Sequence, residues 1–495
     1  MSSRHPGPSS GLGVRRARFR AWPLGRLDLA VVAALAALLM LLLVSAANVS
    51  PVRALAWSIG IASLAGVAHE WSRGRLFSLA FITYVFTLTV FCIRPLYVWG
   101  NRSQLQFHEF PKNANAELKN LNSLELANFV TNRFSGNLER AMTFALLLGA
   151  VFLGCFLIGL SIGSRHLSAK LPRLFGSRPD PTKLAKVVGV LLIVGFGTQL
   201  AQRVGVGGSL FAKTSFEASM LIRSALIGLL LWAAFGRLRG LFGVAFAVTT
   251  IAFVVLRASG GSRTEALLPI LAIFVVIHVA RRPIRRRELA VLILGGIMVT
   301  NAVLTTRVVA KTQPAATALV EGLKSSLDPS VAQGDNSLFD DFLLLTSIVP
   351  DEIPFQHGGR IVAGIKSAVP SVFYPGKPPQ NEITFRRLVW GELYEGGRPY
   401  SHLGEFWFDF GWAGAIVGSL LMGLLAARFR DVGQPLVLGG DPSAAVLAGI
   451  LVPNFYVVID GTYTIFLSAL ISFTVPLAVA MLALRRVSSH SPRLA

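Results

Sequence analysis

The sequence predicts an all-α integral membrane protein with about twelve transmembrane helices and one large loop outside the membrane, late in the chain. Three observations predict it. The chain has 495 residues, of which 53% are hydrophobic and only 15% charged, where a soluble domain carries about a quarter charged residues. Its mean hydropathy is +0.60. Its apolar residues gather into runs near the ~20 residues that a helix needs to cross a bilayer, about twice the length of a barrel strand.

The runs lie at about 28–48, 52–69, 76–98, 139–163, 186–202, 219–236, 240–257, 265–280, 288–306, 403–427, 442–459 and 464–484. They divide the chain into a basic tail (1–26), nine spans (27–306), a large loop (307–401), three further spans (402–485) and a short tail (486–495). Arg4, Arg15, Arg16, Arg18, Arg20 and Arg26, set among Gly, Pro and Ser, make the first tail a disordered cytoplasmic segment. The run after it is too long for a signal peptide and has no small-residue cleavage pattern, so it is expected to be an anchor.

A formal charge of +22 would suit nucleic acid, but its placement argues against that partner. Alternate boundaries are basic: Arg73 and Arg75, then Arg165 to Lys183, then Arg237 and Arg239, then Arg281 to Arg287, then Arg428 and Arg430, then Arg485 and Arg486. Positive charge marks cytoplasmic loops. Both termini are therefore expected inside and the 307–401 loop outside, where no nucleotide is available. Energy for chemistry on that face must arrive in the substrate. Cys92 and Cys155 both lie in apolar runs, which gives neither a disulfide framework nor a cysteine metal site.

Cations also occur on the outer side, where the rule expects few. Arg94 precedes Pro95, Arg203 and Arg307 end spans, Arg223 lies inside one, and Arg257 and Arg263 bracket a small-residue turn. The large loop adds Arg360, Arg386, Arg387 and Arg398. A single arginine at a helix end snorkels to headgroups. As a set, with planar forks suited to phosphate, they fit a diphosphate held at the outer surface. Ser259-Gly260-Gly261-Ser262-Arg263 reads either as a tight hairpin turn or as backbone N–H groups and a guanidinium converging on an anion.

The loop ends in Ser401-His402-Leu403-Gly404-Glu405-Phe406-Trp407-Phe408-Asp409-Phe410-Gly411-Trp412, which enters the next span. His402 and Glu405 are three apart at a helix start, and either can serve as a base toward a sugar hydroxyl. The other role open to Glu405 is to favour the helix dipole. No DxD-type pair occurs in the outer loops, so neither metal nor another cofactor is expected. Asp340 and Asp341 are adjacent and are expected to cap or solvate a short surface helix. The apolar content of the loop predicts short helices near 340–349 and 361–369, folded back onto the membrane. Its aromatics, Phe373, Tyr374, Trp390, Tyr394 and Tyr400 among them, suit the membrane interface or sugar rings.

Three stretches resemble the Wzy-type O-antigen polymerases, a family of oligosaccharide repeat-unit polymerases. They are Ser262-Arg263-Thr264, then Val369-Pro370-Ser371-Val372-Phe373-Tyr374-Pro375-Gly376-Lys377-Pro378, then the Gly404-Glu405, aromatic, Phe410-Gly411-Trp412-Ala413-Gly414 entry to a helix. Arg94-Pro95 fits as well. The resemblance implies a glycosyltransferase class C-like architecture in the bacterial inner membrane with a periplasmic active site. It implies undecaprenyl-diphosphate-linked glycans as substrates, inverting transfer without a cofactor, and work beside a chain-length regulator and a flippase. On this reading Glu405 or His402 is expected to act as base, and Arg263, Arg360, Arg94, Arg307, Arg386 and Arg398 to hold the diphosphate. Arg386 to Gly397 also has the family's Arg-x10-Gly spacing.

Two rival functions remain. An O-antigen ligase runs the same chemistry onto a lipid A acceptor. A flippase of lipid-linked sugars should carry charge through the depth of its spans, whereas segments such as 29–46 and 289–303 are free of it. The topology makes a direct prediction. A reporter fused after Gly322 should read outside and one after Arg287 inside; the reverse pattern would overturn both the topology and the functional reading.

Overall fold

The computed structural model describes residues 50–100, 138–166, 179–204, 216–258, 263–285, most of 287–298, 338–369 except 352, 373, 374, 376, 385, 400–430, 432, 442–460 and 463–485. Every regular element among them is helical. We number the helices α1 (Pro51–Ser72), α2 (Leu79–Gly100, including a π-helical turn at Thr89–Ile93), α3 (Leu138–His166), α4 (Pro181–Val204), α5 (Phe216–Phe235), α6 (Leu241–Ala258), α7 (Arg263–Ala280), α8 (Leu338–Ile348), α9 (Gly359–Ala368), α10 (Ser401–Arg428), α11 (Pro442–Asp460) and α12 (Tyr463–Arg485).

Seven of these are long and apolar enough to cross a membrane, and three shorter apolar helices lie within α7, α11 and α12. All ten coincide with hydropathy runs. Of the remaining two expected spans, 28–48 lies outside the described residues and 288–306 is described only in part. The tails at 1–26 and 486–495 also lie outside.

The π-helical turn follows from Pro95, whose ring clashes with the carbonyl four residues earlier and which has no N–H to give it. Widening the turn at Thr89–Ile93 relieves the conflict just before Arg94. The longest helix-helix contact is that of α3 with α10. It is close because it is built on glycine: a Cβ on Gly159 would lie 2.2 Å from the Leu420 carbonyl oxygen, and one on Gly423 2.1 Å from that of Phe156. Backbone-to-backbone packing of this kind is how helices associate in lipid, where burial alone gives little drive.

Ion pairs and hydrogen bonds join segments that the topology assigns to one side. Arg430 Nη2 meets Glu70 Oε1 at 2.6 Å, and Ser78 Oγ donates to the other Glu70 oxygen at 3.0 Å. Arg281 Nε donates to the Ala233 carbonyl at 2.9 Å. At the expected outer end, Arg257 pairs with Glu265 at 2.6 Å and ties the α6–α7 hairpin together.

The described parts of the large loop are folded into the helical body. Both expected short helices occur, as α8 and α9. One expectation is corrected: Asp340 and Asp341 are not on a solvated surface helix, for every residue of α8 is buried. The cause is the Phe342-Leu343-Leu344-Leu345 cluster, which is apolar on all sides and draws the whole turn inward. In α9 the polar face is the inner one. Arg360, Gly364 and Ser367 are buried, whereas Val362 is 50% and Ile365 55% exposed. An apolar face turned away from the protein suits acyl chains at a membrane interface.

Helix α10 breaks at Gly411, whose φ of 57° and ψ of −136° only glycine adopts readily. The break frees carbonyls of the preceding turn, which need new donors. The loop supplies them: Gln356 N donates to Phe408 O at 3.0 Å and His357 N to Asp409 O at 2.8 Å. The Phe355 ring then seats over Gly411, where an added Cβ would come within 2.8 Å. Gly411→Ala should therefore destabilise the protein by about 1–3 kcal/mol. It should also speed protease cleavage near residue 356. An unchanged unfolding temperature in detergent would show that the break does not hold the loop.

Candidate functional site

The segment docked on the α10 break carries Arg360 into the protein, at 4% exposure. Its backbone N–H donates to Asp409 Oδ1 at 3.1 Å, so Asp409 caps the first turn of α9. Its guanidinium lies 4.5 Å from the centre of the Phe408 ring and donates from Nη2 to Tyr400 Oη at 2.9 Å. The Tyr400 hydroxyl in turn donates to Glu405 Oε1 at 3.2 Å. Arg360, Tyr400, Glu405 and Asp409 thus form one buried group at the junction of loop and span. Burial lowers the affinity of Arg360 for its proton, but the oxygens of Tyr400, Glu405 and Asp409 outweigh it and raise the pKa above the ordinary value. The guanidinium stays charged at any working pH.

The local sequence explains the arrangement. Gly404 leaves room for the Tyr400 ring, since a Cβ there would sit 2.7 Å from it and 3.0 Å from Leu345. Phe385 packs edge-on to both Tyr400 and Phe408, at 4.9 and 5.9 Å between centroids. Past the break, Gly414 clears the Phe406 carbonyl, which an added Cβ would meet at 2.0 Å. The Gly-Glu and Phe-Gly-x-x-Gly features are therefore packing requirements around one acidic side chain.

His402 has different surroundings. Its Nδ1 lies 2.9 Å from the Ile459 carbonyl, which makes that nitrogen the donor and leaves Nε2 as an acceptor. The ring is walled by Phe152, Phe406 and Phe86 at 5.0, 5.7 and 6.2 Å. Glu405, through Tyr400, faces a cation; His402 faces aromatic rings.

Arg94 forms a two-pronged pair with Asp340: Nε to Oδ1 at 3.2 Å and Nη2 to Oδ2 at 2.5 Å. Both residues are buried, at 4% and 0% exposure. The pair fastens α8 to the C-terminal part of α2. Arg223, another outer-side cation, donates to Ser472 Oγ and to the Ala469 carbonyl of α12 at 3.1 Å. Arg263 opens α7 as the sequence predicts, but its side chain and the turn at 259–262 lie outside the described residues, as do Arg307, Arg386 and Arg398.

Two members of the group were not assigned roles from sequence. Tyr400 read as one aromatic among many; its only signal was adjacency to the His402–Glu405 turn. Asp409 was named only within the stretch that enters the span, and its capping role depends on a loop helix folding back from 49 residues earlier.

Residues 380–489 match the family model of the O-antigen polysaccharide polymerase Wzy. The matched segment contains Tyr400, Glu405, Asp409 and the α10 break, and it upholds the resemblance read from the sequence. Arg360, Arg94 and Asp340 lie before it. Among curated proteins and among solved structures nothing matches the chain.

The Arg94–Asp340 pair can be tested apart from chemistry. Removing one partner of a buried pair leaves the other charge uncompensated and costs about 3–5 kcal/mol, whereas replacing both with apolar residues is often neutral. Arg94→Met alone should sharply lower the yield of folded protein from membranes. The double variant Arg94→Met, Asp340→Leu should recover it. If the double variant recovers yield but no polymer forms in cells, Arg94 has a role in the reaction as well.

Proposed function

We propose that this protein is a membrane polysaccharide polymerase that joins oligosaccharide repeat units carried on undecaprenyl diphosphate, at the outer face of the bacterial inner membrane. The observation that carries the reading is the Glu405–Tyr400–Arg360 group, whose carboxylate and phenol lie in the segment matching the polymerase family. It combines a carboxylate suited to general-base work with a cation suited to a departing diphosphate.

Glu405 takes the proton from the acceptor hydroxyl of an incoming repeat unit. The freed oxygen attacks the anomeric carbon of the growing chain and forms the new glycosidic bond with inversion. The bond from that carbon to the lipid diphosphate breaks, and the diphosphate leaves with the electron pair on its lipid. Arg263, Arg307, Arg386 and Arg398 join Arg360 in holding that leaving group. Arg94, neutralised by Asp340, positions α8, and His402 orients α10 against α11. Glu405 and Tyr400 are fully buried, so α9 must withdraw to admit the acceptor. The exposed Val362 and Ile365 on its outer face support a movement at the bilayer surface, where a lipid-linked substrate would arrive.

Cells lacking the gene, complemented with variants at matched membrane levels, test the reading. Glu405→Gln should lower polymer formation about 10²–10⁴-fold, the usual worth of a general base, and leave surface glycan at a single repeat. Arg360→Lys keeps the charge but loses the planar fork and should cost on the order of a hundredfold. Full-length chains left on the lipid carrier would point instead to a ligase, and wild-type polymer from Glu405→Gln would remove Glu405 as the base.

A further inference from the structure

Beside the charged group, but separate from it, is a cavity of about 150 Å³ lined by Phe144, Thr346, Ser347, Val349, Pro350, Asp351 and Trp407. It lies between the start of α3, the end of α8 and the α10 turn that follows Glu405. A cavity of this volume accepts a six-membered ring. Its walls are of two kinds. Phe144 and Trp407 stand edge to face at 5.5 Å, and both contact Trp412, at 5.8 Å each. The lining also includes two hydroxyl residues and a carboxylate residue. The Thr346 and Ser347 hydroxyls donate to the Leu343 carbonyl at 3.0 and 2.7 Å, so their oxygens keep lone pairs for an incoming donor. Asp351 is exposed and contributes a carboxylate, with no cation among the described lining residues.

These features discriminate among ligands. Among the described lining residues a phosphate would face a carboxylate and no positive charge. An acyl chain would strand three polar groups against hydrocarbon. A pyranose has an apolar face for the aromatic side and hydroxyls that donate to Asp351, Thr346 and Ser347. We infer that this cavity is a monosaccharide subsite, which takes one sugar ring of the glycan away from the ring that reacts.

Its place in the fold supports that use. Trp407 follows Glu405 by two positions, so the two point to different sides of a helix about 10 Å across. Phe355, in the segment that carries Arg360, packs on Trp407 at 5.7 Å between centroids. A ring seated here therefore lies against the same loop segment that covers Glu405. The subsite rests on the polymerase reading for its role in the reaction, but not for its ability to bind sugar.

The test uses the purified full-length protein in detergent and the repeat-unit oligosaccharide released from its lipid by mild acid. Saturation-transfer NMR measures binding of that free oligosaccharide. Polymerisation of the intact lipid-linked repeat unit gives kcat and KM. Asp351→Asn is the main variant, since its exposed position makes misfolding a poor explanation for any effect. Thr346→Val, which keeps the side-chain shape, is the second. Loss of a charged hydrogen bond should weaken binding and raise KM about tenfold for Asp351→Asn, with a smaller change in kcat and an unchanged unfolding temperature. Thr346→Val should move KM in the same direction by a few-fold. The inference is overturned if the wild-type protein does not bind the free oligosaccharide, or if both variants bind it as tightly as wild type. Binding that is lost in Asp351→Asn, in a protein that polymerises nothing, would uphold the sugar site and reject the polymerase reading.

Discussion

The described part of the large loop depends on a broken helix. Inside a membrane a carbonyl without a donor costs several kcal/mol, so a span can be interrupted only where something else completes its hydrogen bonds. Gly411 interrupts α10, and the backbone of Gln356 and His357 completes it. That exchange fixes the loop on the span at one register. Three residues later the same segment delivers Arg360 to Tyr400 and Asp409. Shifting the segment by one residue would exchange the two backbone donors and turn the guanidinium away from the phenol.

The buried charges follow the same logic of completion. Arg94 with Asp340, and Arg430 with Glu70, each join a loop or loop helix to a distant span. A lone ion at such depth would be intolerable, and a pair is tolerable when its remaining hydrogen-bonding sites are filled. Such pairs add little net stability but specify a single partner. An apolar contact between α8 and α2 would slide, and the two-pronged Arg94–Asp340 geometry does not. In a body whose other contacts are largely aliphatic and aromatic, register is where specificity is needed.

What could be read in advance followed from period and length. Ten helices occur where apolar runs of the right length occur, because a span must be continuous and apolar whatever its tertiary partners. Glu405 and Arg360 were legible as functional candidates because ionisable groups at a membrane boundary are costly. The relation between them was not, for it needs a hydrogen bond across 40 residues that runs through Tyr400. The burial of Asp340 was missed for a similar reason. Two adjacent carboxylates signal solvent, and here the apolar cluster that follows them and the pairing of Asp340 with Arg94 reverse that signal. Nor does the sequence show that α9 turns its polar side inward. Amphipathicity gives two faces, and the choice between them belongs to whatever each face meets.

The phenol between cation and carboxylate matters to the chemistry. A base must be ionised before it acts, yet remain basic enough to accept a proton. An arginine in direct contact with Glu405 would meet the first condition and defeat the second, because a bidentate pair stabilises the charged carboxylate strongly. With Tyr400 interposed, the attraction acts across two hydrogen bonds, of 2.9 and 3.2 Å, and Coulomb energy falls with separation. In the proposed reaction an arriving diphosphate would compete with the Tyr400 hydroxyl for the Arg360 guanidinium, and the cation could pass to the leaving group while the base stays in place.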